Sequence, residues 1–223
     1  MDQTDATKLR AAGGLESPLL KAAVTVADAL RDAGFDTILI GGVAMAAHNF
    51  IRLTDDIDFA LNVPIRSMQD IADALVRKGF RAELHEPDSV DPLGGVIDVE
   101  GNFGLIQIVN FGERFPAVID DALRCKDLAT SECPAFRIIP LPHLIALKLY
   151  AGGSKSRADI VQLLERNPDA DLASIREMCD RYRLRGLEPL IEEAGVSVSK
   201  PAKSETQTGA TPEEPEEDGP VAS

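Results

Sequence analysis

The sequence predicts a mixed α/β protein of the α+β class, in which a mixed sheet is flanked by helices and followed by a C-terminal helical subdomain. Three observations predict it. From residue 17 to residue 79 the apolar spacing switches between the helical and the strand period, in the order helix, strand, helix, strand, helix. Three strand-like runs then follow, with a Gly101-Asn102 turn between the last two. Beyond Phe111 the apolar residues recur almost only at helical spacing.

Taken in order, Ser17-Pro18 is a helix entry: serine can cap a free backbone N–H, and proline fits the first turn, where its missing N–H is not needed. Leu19, Leu20, Ala23, Val26, Ala27 and Leu30 follow on one face, and Gly34 ends the element. Residues 37–40 are a continuous apolar run that reads as a buried strand, closed by Gly41-Gly42. A short helix is predicted over 42–49, a loop over 50–55 and a second strand over 56–62. Ser67, with Asp70 three residues on, has the spacing of a capping box and opens a helix that Gly79 stops. Strands are predicted at 80–86, 95–100 and 103–111. With Glu100 facing Phe103 across the hairpin, Ile97, Val99, Ile106 and Ile108 share one face, and Asp98, Glu100 and Gln107 share the other. That register is favoured because it gives a β-branched core face, and a loop one residue longer would move Gln107 away from Asp98. A short helix at 117–125 and a short strand at 136–139 come next. Helices are then expected from 141 to the Gly152-Gly153 pair, from 156 or 157 to Pro168, over 172–184 and over 187–193.

Residues 1–16 are expected to be a flexible N-terminus, 17–112 the core domain, 113–196 the helical subdomain and 197–223 a disordered acidic tail. The tail is rich in Lys, Pro, Ser, Thr, Gly and Glu and buries too little apolar surface to offset the entropy of ordering. The longest uncharged apolar run, over 38–47, is far shorter than the roughly 20 residues that span a bilayer. The opening Met1-Asp2-Gln3-Thr4-Asp5 is not the start of a secretory signal, so a cytoplasmic protein with no membrane partner is expected. Cys125, Cys133 and Cys179 have no CxxC spacing and are expected to be reduced. The net charge of −14 opposes bulk DNA binding and requires any nucleic-acid substrate to be held through a local basic patch.

The chemistry concentrates at Ile40-Gly41-Gly42 and at Asp55-Asp56-Ile57-Asp58-Phe59. Residues two apart on a strand share a face, so Asp56 and Asp58 project together while Ile57 and Phe59 anchor the other side. Two carboxylates so placed suit a hard divalent cation, Mg²⁺ or Mn²⁺. Glycines lack a Cβ and let backbone N–H groups approach a phosphate.

The pattern from Gly41-Gly42 through His48, Arg52, Thr54, Asp56 and Asp58 resembles the polymerase-β-type nucleotidyltransferase superfamily, and within it the bacterial minimal and AbiEii-like nucleotidyltransferases, some of them toxins of toxin–antitoxin systems. A second stretch, Pro142-His143-Leu144-Ile145-Ala146-Leu147-Lys148-Leu149 followed by Lys155 and Arg157-Ala158-Asp159-Ile160, is similar to the helical motif of that family. The resemblance implies a nucleotidyltransferase-fold sheet and metal-assisted transfer of an NMP from an NTP to a hydroxyl acceptor, such as an RNA 3′ end (tRNA included) or a protein. It makes Asp56 and Asp58 the metal ligands and catalytic acids. It assigns Gly41, Gly42, Arg52, Thr54, Lys148, Lys155 and Asp159 to nucleotide binding, with Arg157 a further phosphate or acceptor contact. It also leaves room for an antitoxin partner. Asp159 is expected either to orient Lys148 or Arg52 or to serve its own helix dipole, and His48 to brace the loop leading to Asp56. His85 and His143 show no partner pattern.

This chain departs from the family's pattern at several positions: Gly42 stands where many relatives carry Ser, Ser156 where relatives often carry Asp, and a third carboxylate is missing. Where relatives carry a third carboxylate on a neighbouring strand, it has Gln107, with Asp98 on the same face as the substitute catalytic acid. Three functions therefore stand side by side: an active, toxin-like nucleotidyltransferase, a non-catalytic nucleotide- or partner-binding protein on the same fold, and a small-molecule (antibiotic) nucleotidyltransferase.

Overall fold

The computed structural model describes residues 17–52, 54–87, 94–112, 116–125 and 136–196. The readings for 1–16 and 197–223, and for Cys133, lie outside the described residues. Helix α1 (Pro18–Asp32) leads through β1 (Ile38–Ile40) into the short α2 (Gly41–Ala47), and β2 (Asp56–Leu61) into α3 (Arg66–Arg77). Strands β3 (Arg81–His85), β4 (Val96–Gly101) and β5 (Gly104–Asn110) follow. The helices α4 (Pro116–Arg124), α5 (Leu141–Ala151), α6 (Gly153–Arg166), α7 (Leu172–Arg181) and α8 (Leu187–Glu193) complete the described residues.

The five strands form one mixed sheet in the order β1-β2-β5-β4-β3, in which β2 and β5 run parallel and the other neighbours antiparallel. One face carries Ile57, Phe59, Ile97, Val99, Ile106 and Ile108, all buried. Burying each contributes about 1.5–3 kcal/mol, and a one-residue slip of any strand would turn its share to water, so the faces are strongly fixed. Helix α1 buries Leu20, Ala23, Val26, Ala27 and Leu30 and packs on α3 and β5. Helix α3 buries Met68, Ile71, Ala72 and Leu75 and packs on α1 and β3. Helix α2 is too short to persist alone. Its buried Val43, Ala44, Met45 and Ala46 seat it on β1 and β2.

Helix α5 is apolar nearly all round, as a helix at the centre of others must be. It buries His143 through Leu147 and touches α4, α6 and α7, while α6 packs on α8.

Several local expectations change. The run 136–139 is not a strand but one parallel bridge, Leu39 to Ile138, because Pro140 and the adjacent helix end it there. Ser67 lies inside α3, which begins at Arg66 after a Pro64 turn, so no capping box forms. Ser17 likewise makes no side-chain cap, and proline alone sets that helix start. Only Gly152 separates α5 from α6, which puts Lys155 in the first turn of α6.

The β4–β5 hairpin turns at Asn102-Phe103, with Gly101 opposite Gly104, and not at Gly101-Asn102. Pairing moves by two residues, the faces are unchanged, and Asp98 stands directly opposite Gln107.

Candidate active site

The site begins with a row of side chains across the sheet. Ile40 of β1 is opposite Asp58 of β2, Asp58 is opposite Gln107 of β5, and Gln107 is opposite Asp98 of β4. Opposed residues share a face, so all four project together, joined by Asp56 two residues before Asp58. Immediately after Ile40 the chain turns at Gly41, φ +66°, and passes so close to β2 that a Cβ there would lie 1.8 Å from Asp58 Oδ2. A Cβ on Gly42 would lie 2.8 Å from the Thr54 side chain. The diglycine therefore lets α2 close on both the carboxylate strand and the loop before it. The Thr54 hydroxyl donates to the Asp56 carboxylate.

Among the described residues, the Asp58 carboxylate accepts no hydrogen bond and forms no ion pair. Burial, and then the charge of Asp56, pushes its carboxyl up to about 6, and Lys148, Arg52 and Lys155, in that order, pull against the rise. Three of the predicted cations thus act on the same carboxylate from two separate parts of the chain. Arg52 Nε is buried without a hydrogen-bond partner. Lys148 Nζ lies 2.7 Å from Asp159 Oδ2, with side chains 15% and 8% exposed, so Asp159 orients the lysine. Lys155 is exposed, and Arg157 is exposed on the same helix without acting on Asp58. Two adjacent carboxylates, one of them enclosed and without a donor, are an oxygen donor set that a hard divalent cation fits, and the surrounding cations suit a polyanion.

Asp98 stands beside this carboxylate pair and not within it. It is two strands from Asp58, roughly 10 Å by strand spacing, with Gln107 between them. Among the described residues, no group of three His, Cys, Asp or Glu side chains converges as a metal site, so Asp98 does not complete a three-carboxylate cluster. Gln107 Nε2 donates to Asp98 Oδ1 at 2.9 Å, and His85 Nε2 lies 3.2 Å from Asp98 Oδ2. His85 therefore has the partner that the sequence did not reveal. Beside this triplet lies a shallow cavity of about 220 Å³ lined by His85, Glu86, Val96, Asp98 and Gln107 among others.

His48 braces a different segment from the one expected: its Nε2 hydrogen-bonds Ile139 O at 2.7 Å, and burial lowers its pKa, so the neutral ring donates. Asn167, at the end of α6, was not singled out in the sequence. Its Nδ2 donates to His48 O and to Leu163 O, each at 2.7 Å, and its Oδ1 accepts from Asn49 Nδ2 at 2.6 Å. Asn49 has φ +65°, a backbone state that asparagine tolerates better than most residues. The one sequence signal for this clamp is an asparagine after each of the two helices. His143 is buried with Nδ1 unpartnered, and burial lowers its pKa.

No protein-family model matches the chain, and no curated protein matches its sequence. Solved structures are similar at low identity. The antibiotic-resistance factor ANT(2'')-Ia is 16% identical over 87% of this chain and 99% of that one, with a TM-score of 0.46. An antigenic nucleotidyltransferase-like protein from Paracoccidioides brasiliensis is 14% identical over 80% and 92%, with a TM-score of 0.46. Terminal uridylyl transferase 4 from Trypanosoma brucei, with bound GTP, is 12% identical over 82% and 55%, with a TM-score of 0.37. At these values the likenesses assign neither family nor substrate to this chain. Among the described residues, no helix is long and apolar enough to cross a membrane.

Proposed function

We propose that this protein is a nucleotidyltransferase of the polymerase-β type, which moves an NMP from an NTP to a hydroxyl acceptor. The single observation that carries the reading is Asp58: a largely enclosed carboxylate beside Asp56, with no donor of its own, pressed against the diglycine turn and acted on by Arg52, Lys148 and Lys155. Asp56 and Asp58 would hold Mg²⁺ or Mn²⁺, and Thr54 fixes the Asp56 carboxylate from outside. A divalent cation bound there supplies charge neutralisation of the triphosphate and polarises the acceptor hydroxyl. Gly41 and Gly42 let backbone N–H groups approach the phosphates. Lys148, oriented by Asp159, and Arg52, with its free Nε, bind phosphate oxygens. The acceptor oxygen bonds to the α-phosphorus as the α–β bridging bond breaks, pyrophosphate leaves, and the hydroxyl proton passes to solvent.

The resemblance to minimal and AbiEii-like enzymes supports a toxin-like role in the cytoplasm, with an RNA 3′ end or a protein as acceptor and an antitoxin as partner. The test is transfer from each of the four α-labelled NTPs, with Mg²⁺, to cellular RNA, to protein and to small molecules. Label on one acceptor class in the wild type and none in Asp58→Asn supports the enzyme. Gln107 favours a second reading, a site that binds nucleotide without turnover. ATP binding that is indifferent to both Mg²⁺ and Asp58→Asn, measured by calorimetry, would select it.

A further inference from the structure

We propose that Gln107 replaces the missing carboxylate with a fixed neutral acceptor, its carbonyl Oε1 presented to the acceptor substrate and its amide locked by Asp98 and His85. This inference rests on the nucleotidyltransferase reading and assigns the acceptor side of that site.

The argument starts from donor and acceptor chemistry. An amide has one end that donates and one that accepts, whereas an ionised carboxylate only accepts. Asp98 Oδ1 takes Gln107 Nε2 at 2.9 Å, so the N–H₂ end is the end that Asp98 fixes. Asp98 is itself held on its other oxygen by His85 Nε2 at 3.2 Å. Oε1 is left without a hydrogen-bond partner among the described residues, on a side chain that lies between Asp58 and Asp98 in the row and lines the cavity of about 220 Å³. Such an oxygen takes a hydrogen bond from a hydroxyl or amine. A third carboxylate at this position would stand between Asp58 and Asp98 and add a like charge beside both. A neutral acceptor avoids that repulsion and still orients an O–H group. Asp98 and His85 are positioning residues, and Gln107 is the residue that touches the acceptor.

The test uses the full chain, with Asp98→Asn, Gln107→Glu and Gln107→Asp. Asparagine can donate as well as accept, so Asp98→Asn removes the one-way lock with little change of shape. Transfer of label from [α-³²P]NTP to cellular RNA, protein or small molecules is expected to fall about tenfold or more in Asp98→Asn and Gln107→Glu. Calorimetric binding of a non-hydrolysable ATP analogue with Mg²⁺ is expected to change less than about twofold in Asp98→Asn, because the lock acts on the acceptor side. A rise in transfer for Gln107→Asp, or unchanged transfer for Asp98→Asn, overturns the inference. If the wild type transfers to nothing, the nucleotidyltransferase reading fails by itself. The Gln107 side-chain amide signals in ¹H–¹⁵N spectra then decide the lock alone. One shifted, slowly exchanging amide proton that is lost in Asp98→Asn supports it, and two solvent-like protons overturn it.

Discussion

Gly41 sits against Asp58 so closely that a Cβ on the glycine would lie 1.8 Å from the carboxylate oxygen Oδ2. The contact sets the two halves of the motif, diglycine turn and carboxylate strand, into one surface. Gly41→Ala meets both this overlap and a left-handed φ of +66°, which disfavours any residue with a Cβ by about 1–2 kcal/mol. Chemical denaturation should show at least that loss of stability, and ATP affinity should fall more than about tenfold.

Asp58 should make the protein more stable in mild acid than its neighbours alone would. Its folded carboxyl is raised from 3.8 to about 6, so the folded state binds a proton more readily than the unfolded chain. The stability linked to that proton is fully present below 3.8 and is lost as pH rises through about 6. Asp58→Asn removes the penalty. It should raise stability at pH 8 by on the order of 2–3 kcal/mol, with no gain at pH 3.5. Mg²⁺ should raise the Tm of the wild type and leave that of Asp58→Asn unchanged.

Half-buried His48 and buried His143 act in the opposite direction. Burial holds His48 and His143 below the ordinary 6.5, so the unfolded chain binds their protons first. Their contribution is present above 6.5 and is lost as pH falls below it. In an Asp58→Asn background, where the opposing trend is gone, stability should decline from pH 7 to pH 5. The added substitution His143→Gln should flatten that slope.

Lys148 and Asp159 form the most enclosed ion pair among the described residues, and either partner alone would be left buried and uncompensated. Lys148→Met should destabilise by about 3–5 kcal/mol. The double variant with Asp159→Leu should recover most of that stability. ATP affinity should stay low in both, which separates the folding role of the pair from the phosphate contact proposed for the lysine.

Asn167 ties α6 to the residues just before the Arg52 loop through His48 O and Asn49. Asn167→Ala removes the donor to the His48 carbonyl and one acceptor of the Asn49 amide, a loss of about 1–3 kcal/mol. Limited proteolysis between residues 48 and 55 should accelerate in this variant, more than cleavage in the β4–β5 turn.

Most of the elements were legible because burial imposes a period: α1, α3 and the core face of β4 and β5 follow from apolar spacing alone. So does the shared face of Asp56 and Asp58, since alternation along a strand needs no partner. The hairpin register was not legible, because a shift of two residues returns every side chain to the same face and leaves the hydrophobic pattern intact. Only the Gly101–Gly104 pairing distinguishes the alternatives, and that pairing puts Asp98 on Gln107. The partners of His48, His85 and Asn167 were hidden for a related reason. They are long-range contacts to backbone or to another strand, and no local spacing encodes them.

The sequence by itself determined that this chain has a diglycine turn and two carboxylates on one strand face, because those are matters of residue type and of period. The tertiary structure alone decided that β5 lies between β2 and β4. That order seats Gln107 between Asp58 and Asp98, and the placement of the Arg52 loop and of helices α5 and α6 brings Arg52, Lys148 and Lys155 to bear on one carboxylate. Strand order and charge convergence depend on how separate elements pack, and packing is a property of the folded whole.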